Sequence, residues 1–242
     1  MTALSKNIES KPLDFNKLAP WLKNSWLKTL KPLAALALAL MLGPIASTLT
    51  VAQTAKPAET LLVVGDSLSA EYGLKRGTGW VPLLEKQLAA DKKNLKVVNA
   101  SISGDTSSGG NSRLAALLTL HKPAIVVIEL GGNDALRGLP LDMTEKNLTS
   151  MTQAAKKAGA KVLLLGMQVP PNYGGAYAAT FSGLFTKVAK AEKVPLVPFF
   201  LKGIADAEDP TAQFQADRIH PNEQSQPKML ANVLPELKKL IK

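Results

Sequence analysis

Two histidines, His121 and His220, and no cysteine occur in the 242-residue chain. A cysteine nucleophile, disulfide frameworks, thiolate-bound zinc and iron–sulfur clusters are therefore excluded, and a multi-histidine metal site nearly so. Any histidine-dependent chemistry must use one of these two imidazoles. His220 stands in Asp217-Arg218-Ile219-His220-Pro221, with Asp217 three residues before it, near enough to hold one ring nitrogen and fix the tautomer. Ser67 stands in Gly65-Asp66-Ser67-Leu68-Ser69, just beyond an apolar run, where its hydroxyl can project into a cleft. Acyl transfer needs a nucleophile, a base, a group to orient the base, and donors for the oxyanion. Ser67, His220 and Asp217 fill the first three needs. For the donors, Gly104 offers a backbone N–H free of a blocking side chain, Asn133 a side-chain amide, and Ser67 its own N–H.

Each segment also has a plainer reading. Gly-Asp-Ser after a strand is a common turn and helix cap, and Gly-Gly-Asn-Asp (131–134) is ordinary turn chemistry. Asp217 could cap a helix, and His220 beside Pro221 could be a solvated loop residue. His121 precedes Lys122-Pro123 and reads as a partner of the helix dipole at a C-terminus, not as a catalytic group. Joint occurrence, each segment following the appropriate element, favours the chemical reading.

Those elements are short apolar runs: Leu61–Val64, Leu95–Val98, Ala124–Ile128, Lys161–Leu165 and Val194–Val197. Apolar at nearly every position, they suit strands buried on both faces of a parallel sheet. Helix-length patterns lie between and after them: Trp80–Lys92, Asn111–His121, Asp142–Ala158, Ala176–Lys193 and Gln226–Ile241. Alternation of strand and helix implies right-handed crossovers and a three-layer α/β/α domain. In such sheets ligands sit beyond the carboxyl ends of the strands, where the glycine-rich and polar segments converge.

The segments Gly65-Asp-Ser-Leu-Ser69, Gly104-Asp-Thr106, Gly131-Gly-Asn-Asp134 and Asp217-x-x-His-Pro221, in this order and over about residues 60–240, resemble the four blocks of the SGNH, or GDSL, hydrolases. The resemblance implies a flavodoxin-like five-stranded parallel sheet in the order 2-1-3-4-5. It implies a serine esterase acting on acyl esters and thioesters, in the manner of arylesterases, acyl-CoA thioesterases and lysophospholipases. Ser67, Asp217 and His220 would form the triad, and Ser67, Gly104 and Asn133 the oxyanion hole. Val169–Gly175 aligns with a loop that borders the acyl pocket in relatives, which points to Asn172, Tyr173 and Gly174 as substrate contacts. No metal or organic cofactor is implied. The chain departs from the pattern at Glu71, where relatives often carry glycine, and at Arg218, where a small residue is frequent; either change is expected to bear on substrate preference. A carbohydrate O-deacetylase on the same scaffold is the alternative enzyme, and a non-enzymatic binding module the alternative outside enzymology. No G-x-G-x-x-G follows the first strand, which argues against a dinucleotide site.

Composition is globular, with 46% hydrophobic and 20% charged residues. The net charge of +10 is not concentrated in a basic stripe, so no nucleic-acid partner is expected. The first 55 residues hold six lysines against Glu9 and Asp14, and from Pro32 to Ala55 no residue is charged. Lys28 and Lys31, the Leu-rich core from Leu33 and the small residues of Thr50-Val51-Ala52 describe an export signal with cleavage before Gln53. An uncleaved membrane anchor is the rival reading. Residues 1–55 are thus expected to be a signal peptide or anchor plus linker that engages the membrane or export machinery. Residues 56–242 are expected to be the hydrolase domain, exported to the periplasm and monomeric, acting on a small-molecule or lipid acyl ester.

Overall fold

A computed structural model describes residues 57–241. The expected signal or anchor and its cleavage site lie outside the described residues. Five strands form one parallel sheet: β1 (Glu59–Gly65), β2 (Leu95–Asn99), β3 (Ile125–Glu129), β4 (Lys161–Leu165) and β5 (Leu196–Val197). Their order is β2-β1-β3-β4-β5, as the resemblance implies. The three central strands are apolar on both faces and buried almost throughout. β2 departs from the expectation of two-sided burial, because it is an edge strand and its residues are half-buried or exposed. β5 is only two residues long; Pro195, which cannot donate to a ladder, immediately precedes it and lends only its carbonyl, to Leu164 N–H at 3.1 Å.

Six helices connect and cover the sheet: α1 (Trp80–Ala90), α2 (Ser107–His121), α3 (Gly132–Leu136), α4 (Leu141–Lys157), α5 (Gly175–Glu192) and α6 (Gln226–Lys238). The chain steps from β1 outward to β2, then back across to β3, β4 and β5. Right-handed crossovers therefore put α1 on one face and α2, α4 and α5 on the other. The packing agrees, with α1 against α6 and α4 between α2 and α5. On the first face Trp80 meets Phe200 edge-on at 5.4 Å; on the second, Phe181 meets Phe185 at 5.3 Å. His121 closes α2, at the helix C-terminus where it was expected. The reversal of direction falls between β1 and β3, whose last residues, Gly65 and Glu129, are paired in register. That is the point at which α/β sheets open a crevice. Among the described residues no helix is long and apolar enough to cross a membrane.

Candidate active site

Ser67 follows β1 by two residues, and the Asp217–His220 segment lies on the connection from β5 to α6. Although Ser67 and His220 are 153 residues apart in sequence, they meet: Ser67 Oγ is 2.9 Å from His220 Nε2. His220 Nδ1 is 2.7 Å from Asp217 Oδ2. With the Nδ1 proton directed at the carboxylate, Nε2 is left as the acceptor for the serine hydroxyl. Asp217 Oδ1 also accepts the backbone N–H groups of Ile219 (2.9 Å) and His220 (3.0 Å); no helix begins there, so in place of a helix cap the side chain holds a turn while it orients the imidazole. Burial raises the Asp217 carboxyl, but those two N–H donors and the imidazole outweigh it and hold the group at about 2.

The turn carrying His220 is pinned from three sides. Gln215 N–H donates to His220 O at 2.8 Å, and Gln215 Nε2 donates to Tyr72 O (2.8 Å) and Pro221 O (3.2 Å). The buried Gln226 accepts Trp80 N–H at 3.0 Å and donates to Asn222 O at 3.2 Å, which ties α1 and α6 to the turn. The Tyr72 ring lies over the imidazole, 4.4 Å between centroids. Sequence reasoning missed Tyr72, Gln215 and Gln226. No local spacing marks them, since each acts across the fold.

Gly104 and Asn133 lie beyond the carboxyl ends of β2 and β3, on the same edge as Ser67. Gly104 has φ +78°, a conformation that side-chain-bearing residues rarely adopt, and Arg137 donates to its carbonyl at 2.8 Å. Asn133 lies in α3, where a turn was the plainer expectation. The helix forms around Asp134, which is buried and accepts Ser107 N–H (2.8 Å), Ser107 Oγ (2.5 Å) and Thr144 Oγ1 (3.1 Å). One carboxylate thus ties α3 to the start of α2 and to α4. Asn133 Nδ2 donates to Asp66 Oδ2 and to Asp105 O, both at 3.0 Å. Asp105 is itself held by Arg113 at 2.8 Å.

Asn172 and Tyr173 lie in a single 3-10 turn (Pro171–Tyr173), and Gly174, φ +88°, precedes α5; all three are exposed. The Tyr173 ring is stacked 6.3 Å from Tyr177, whose hydroxyl donates to Ala135 O at 3.2 Å, so the segment leans on α3. The two departures from the family pattern share a cause visible only in the backbone. Glu71 and Arg218 both have left-handed φ, 60° and 57°, which favours glycine or a small polar residue. Glu71 compensates by accepting Gly77 and Gly79 N–H through Oε1, each at 2.8 Å.

Residues 63–226 match the GDSL-like lipase/acylhydrolase family. The chain belongs to that family. It is 54% identical over 202 residues to Esterase TesA of Pseudomonas aeruginosa, covering 84% of this chain and 98% of that protein. It is 44% identical to Thioesterase 1/protease 1/lysophospholipase L1 of Escherichia coli K12, covering 72% and 80%. The crystal structure of TesA superimposes with a TM-score of 0.73 at 56% identity, covering 76% of this chain and all of that one. Esterase EstA from Pseudoalteromonas, inhibited by monoethylphosphonate, gives 0.70 at 39% identity, covering 75% and 97%.

Proposed function

We propose that this acylhydrolase is a serine esterase that cleaves acyl esters and thioesters through an acyl-enzyme. The reading is carried by the unbroken chain from Ser67 Oγ through His220 to Asp217, at 2.9 and 2.7 Å. Ser67 attacks the carbonyl carbon as His220 Nε2 takes its proton. The negative oxygen is met by the N–H groups of Ser67 and Gly104 and by the Asn133 amide; in a comparable hydrolase one such donor is worth about 2.7–4 kcal/mol. His220 returns the proton to the departing alcohol or thiol, and water repeats the cycle on the acyl-Ser67 ester.

The substrate class follows from what surrounds the serine. Ile102, Leu139 and Tyr173 on the connections beyond β2, β3 and β4, and Leu136 at the end of α3, are exposed, an apolar border suited to an acyl chain rather than to a sugar. Tyr173 and its neighbours Asn172 and Gly174 form the arm of that border. Aryl esters, acyl thioesters and lysophospholipids meet this description. Cleavage before Gln53 and export to the periplasm, as a monomer, complete the proposal; N-terminal sequencing of the exported protein tests it, with a chain that retains residues 32–52 contradicting cleavage.

Initial rates on p-nitrophenyl esters from C2 to C16 test the reaction. Ser67→Ala is expected to fold normally and lose at least ~10³-fold in kcat. An alkyl fluorophosphonate should add one phosphonyl group to the Ser67 peptide, with fluoride leaving, and none to Ser67→Ala. Undiminished turnover by that variant refutes the serine assignment.

A further inference from the structure

Two acids beneath the site take no part in the reaction just described. Glu129 is fully buried at the end of β3, and Asp66, one residue before Ser67, is 3% exposed. The two are adjacent, the backbone N–H of Asp66 meeting the Glu129 carboxyl, and each charge bears on the other. Among the described residues neither forms an ion pair with lysine or arginine. Glu129 Oε2 accepts Ser69 Oγ at 2.8 Å and Asp66 N–H at 3.3 Å, while Oε1 is buried with no donor. The packing is built for this approach: a Cβ on Gly65 would fall 2.7 Å from Glu129 Oε2.

Two unpaired carboxylates this close and this dry cannot both stay charged. A proton on Oε1 turns an orphaned acceptor into a donor and removes one of the charges. Asp66 is then the fixed carboxylate, with Leu68 N–H on Oδ1 and Asn133 Nδ2 on Oδ2, each at 3.0 Å. Both amide hydrogens of Asn133 are engaged, the second by Asp105 O. To meet an oxyanion the amide must release one. The bond to a neutral carbonyl is weaker than the bond to a carboxylate.

We propose that Glu129 is a positioning residue: it shares one proton with Asp66, and the pair anchors the Asn133 amide through Asp66 Oδ2, leaving the hydrogen now on Asp105 O for the oxyanion. This rests on the assignment of Asn133 above. Burial directs both groups the same way, pushing Asp66 up to about 6 and Glu129 well above its ordinary value, the latter also through the Asp66 charge. The titratable groups acting on the pair are each other and His220, from the turn before α6.

Kinetics on a p-nitrophenyl ester with Glu129→Gln, Glu129→Ala, Asn133→Ala and the two double variants with Asn133→Ala test this. Glu129→Gln keeps a neutral donor, and kcat at pH 7 should stay within about 3-fold of the parent. Glu129→Ala should lower kcat about 10- to 100-fold with little change in KM. Adding Glu129→Ala to Asn133→Ala should cost little more, because both act through one amide. An acid with a raised folded-state pKa contributes most stability below its unfolded value and loses it as pH rises. The Tm of Glu129→Gln relative to the parent should therefore climb as pH rises above about 4.5. Infrared spectra at pH 7 should contain a protonated-carboxyl band that Glu129→Gln lacks, a readout that stands even if Glu129→Ala does not fold. The proposal is overturned if Glu129→Gln is as damaging as Glu129→Ala, if that band is absent from the parent, or if the costs of Glu129→Ala and Asn133→Ala multiply. Full activity in Asn133→Ala alone would instead overturn the oxyanion assignment.

Discussion

Asp217 serves two partners with two oxygens, and they can be separated. Oδ2 faces the imidazole, while Oδ1 holds the Ile219 and His220 N–H groups that shape the turn. In Asp217→Asn the carbonyl oxygen can keep the backbone bonds, but the amide presents N–H to Nδ1 and enforces the wrong tautomer. We expect kcat near pH 7 to fall about 10⁴-fold with only a small drop in Tm. Because Asp217 is held at about 2, its stabilising contribution is present above the ordinary value of 3.8 and lost only as pH falls through about 2. Down to about pH 4 this group should therefore take no stability from the fold, checked by the Tm of the parent against Asp217→Asn across that range. The neighbouring Arg218 carries a conformational cost instead, at φ 57°. Arg218→Gly relieves about 1–2 kcal/mol of left-handed strain and restores about 0.5–1 kcal/mol of unfolded-chain entropy. The expected result is a gain of about 0.5–1 kcal/mol in urea denaturation, and a loss of stability would mean that the arginine side chain holds the turn.

The elements show where sequence legibility stops. The buried strands could be read because continuous apolar runs leave no other way to hide both faces. β2 read the same way as β1, although it lies at the edge, because a run of Leu95-Lys-Val-Val98 states composition and not neighbours. Gly104 and Asn133 were legible as glycine and amide at strand ends, and Ser67, Asp217 and His220 as a nucleophile with its partners. α3 was not legible: five residues beginning at a glycine carry no period, and the helix depends on Asp134 reaching Ser107 and Thr144, which are 27 and 10 residues away. That dependence is testable. Asp134→Ala strands three buried donors and should cost about 3 kcal/mol or more in urea denaturation. If α3 holds the amide in place, kcat should fall in the same variant while KM changes less.

At the scale of the domain, exposed large apolar side chains among the described residues are distributed unevenly. Tyr72, Ile102, Leu139, Tyr173 and Ile219 on the connections, Leu136 at the end of α3 and Met143 in the first turn of α4 all lie toward the carboxyl edge of the sheet, whereas Leu120, near the C-terminal end of α2, lies at the opposite edge. An enclosed pocket would bury each methylene of an acyl chain for about 0.8 kcal/mol. A chain lying along an open border buries about half of its surface, which gives about 0.4 kcal/mol per methylene. Since 1.4 kcal/mol is a factor of ten, kcat/KM should rise about 2-fold with each added CH₂ until the chain outruns the border. Leu136→Ser combined with Leu139→Ser should flatten that slope, because the two sit at the end of α3 and just after it, close in sequence to Asn133, and are 42% and 38% exposed. A slope of about 4-fold per CH₂ would mean that the loops close over the chain. A slope near zero would place the acyl group away from this edge and shift the substrate assignment toward small acetyl esters.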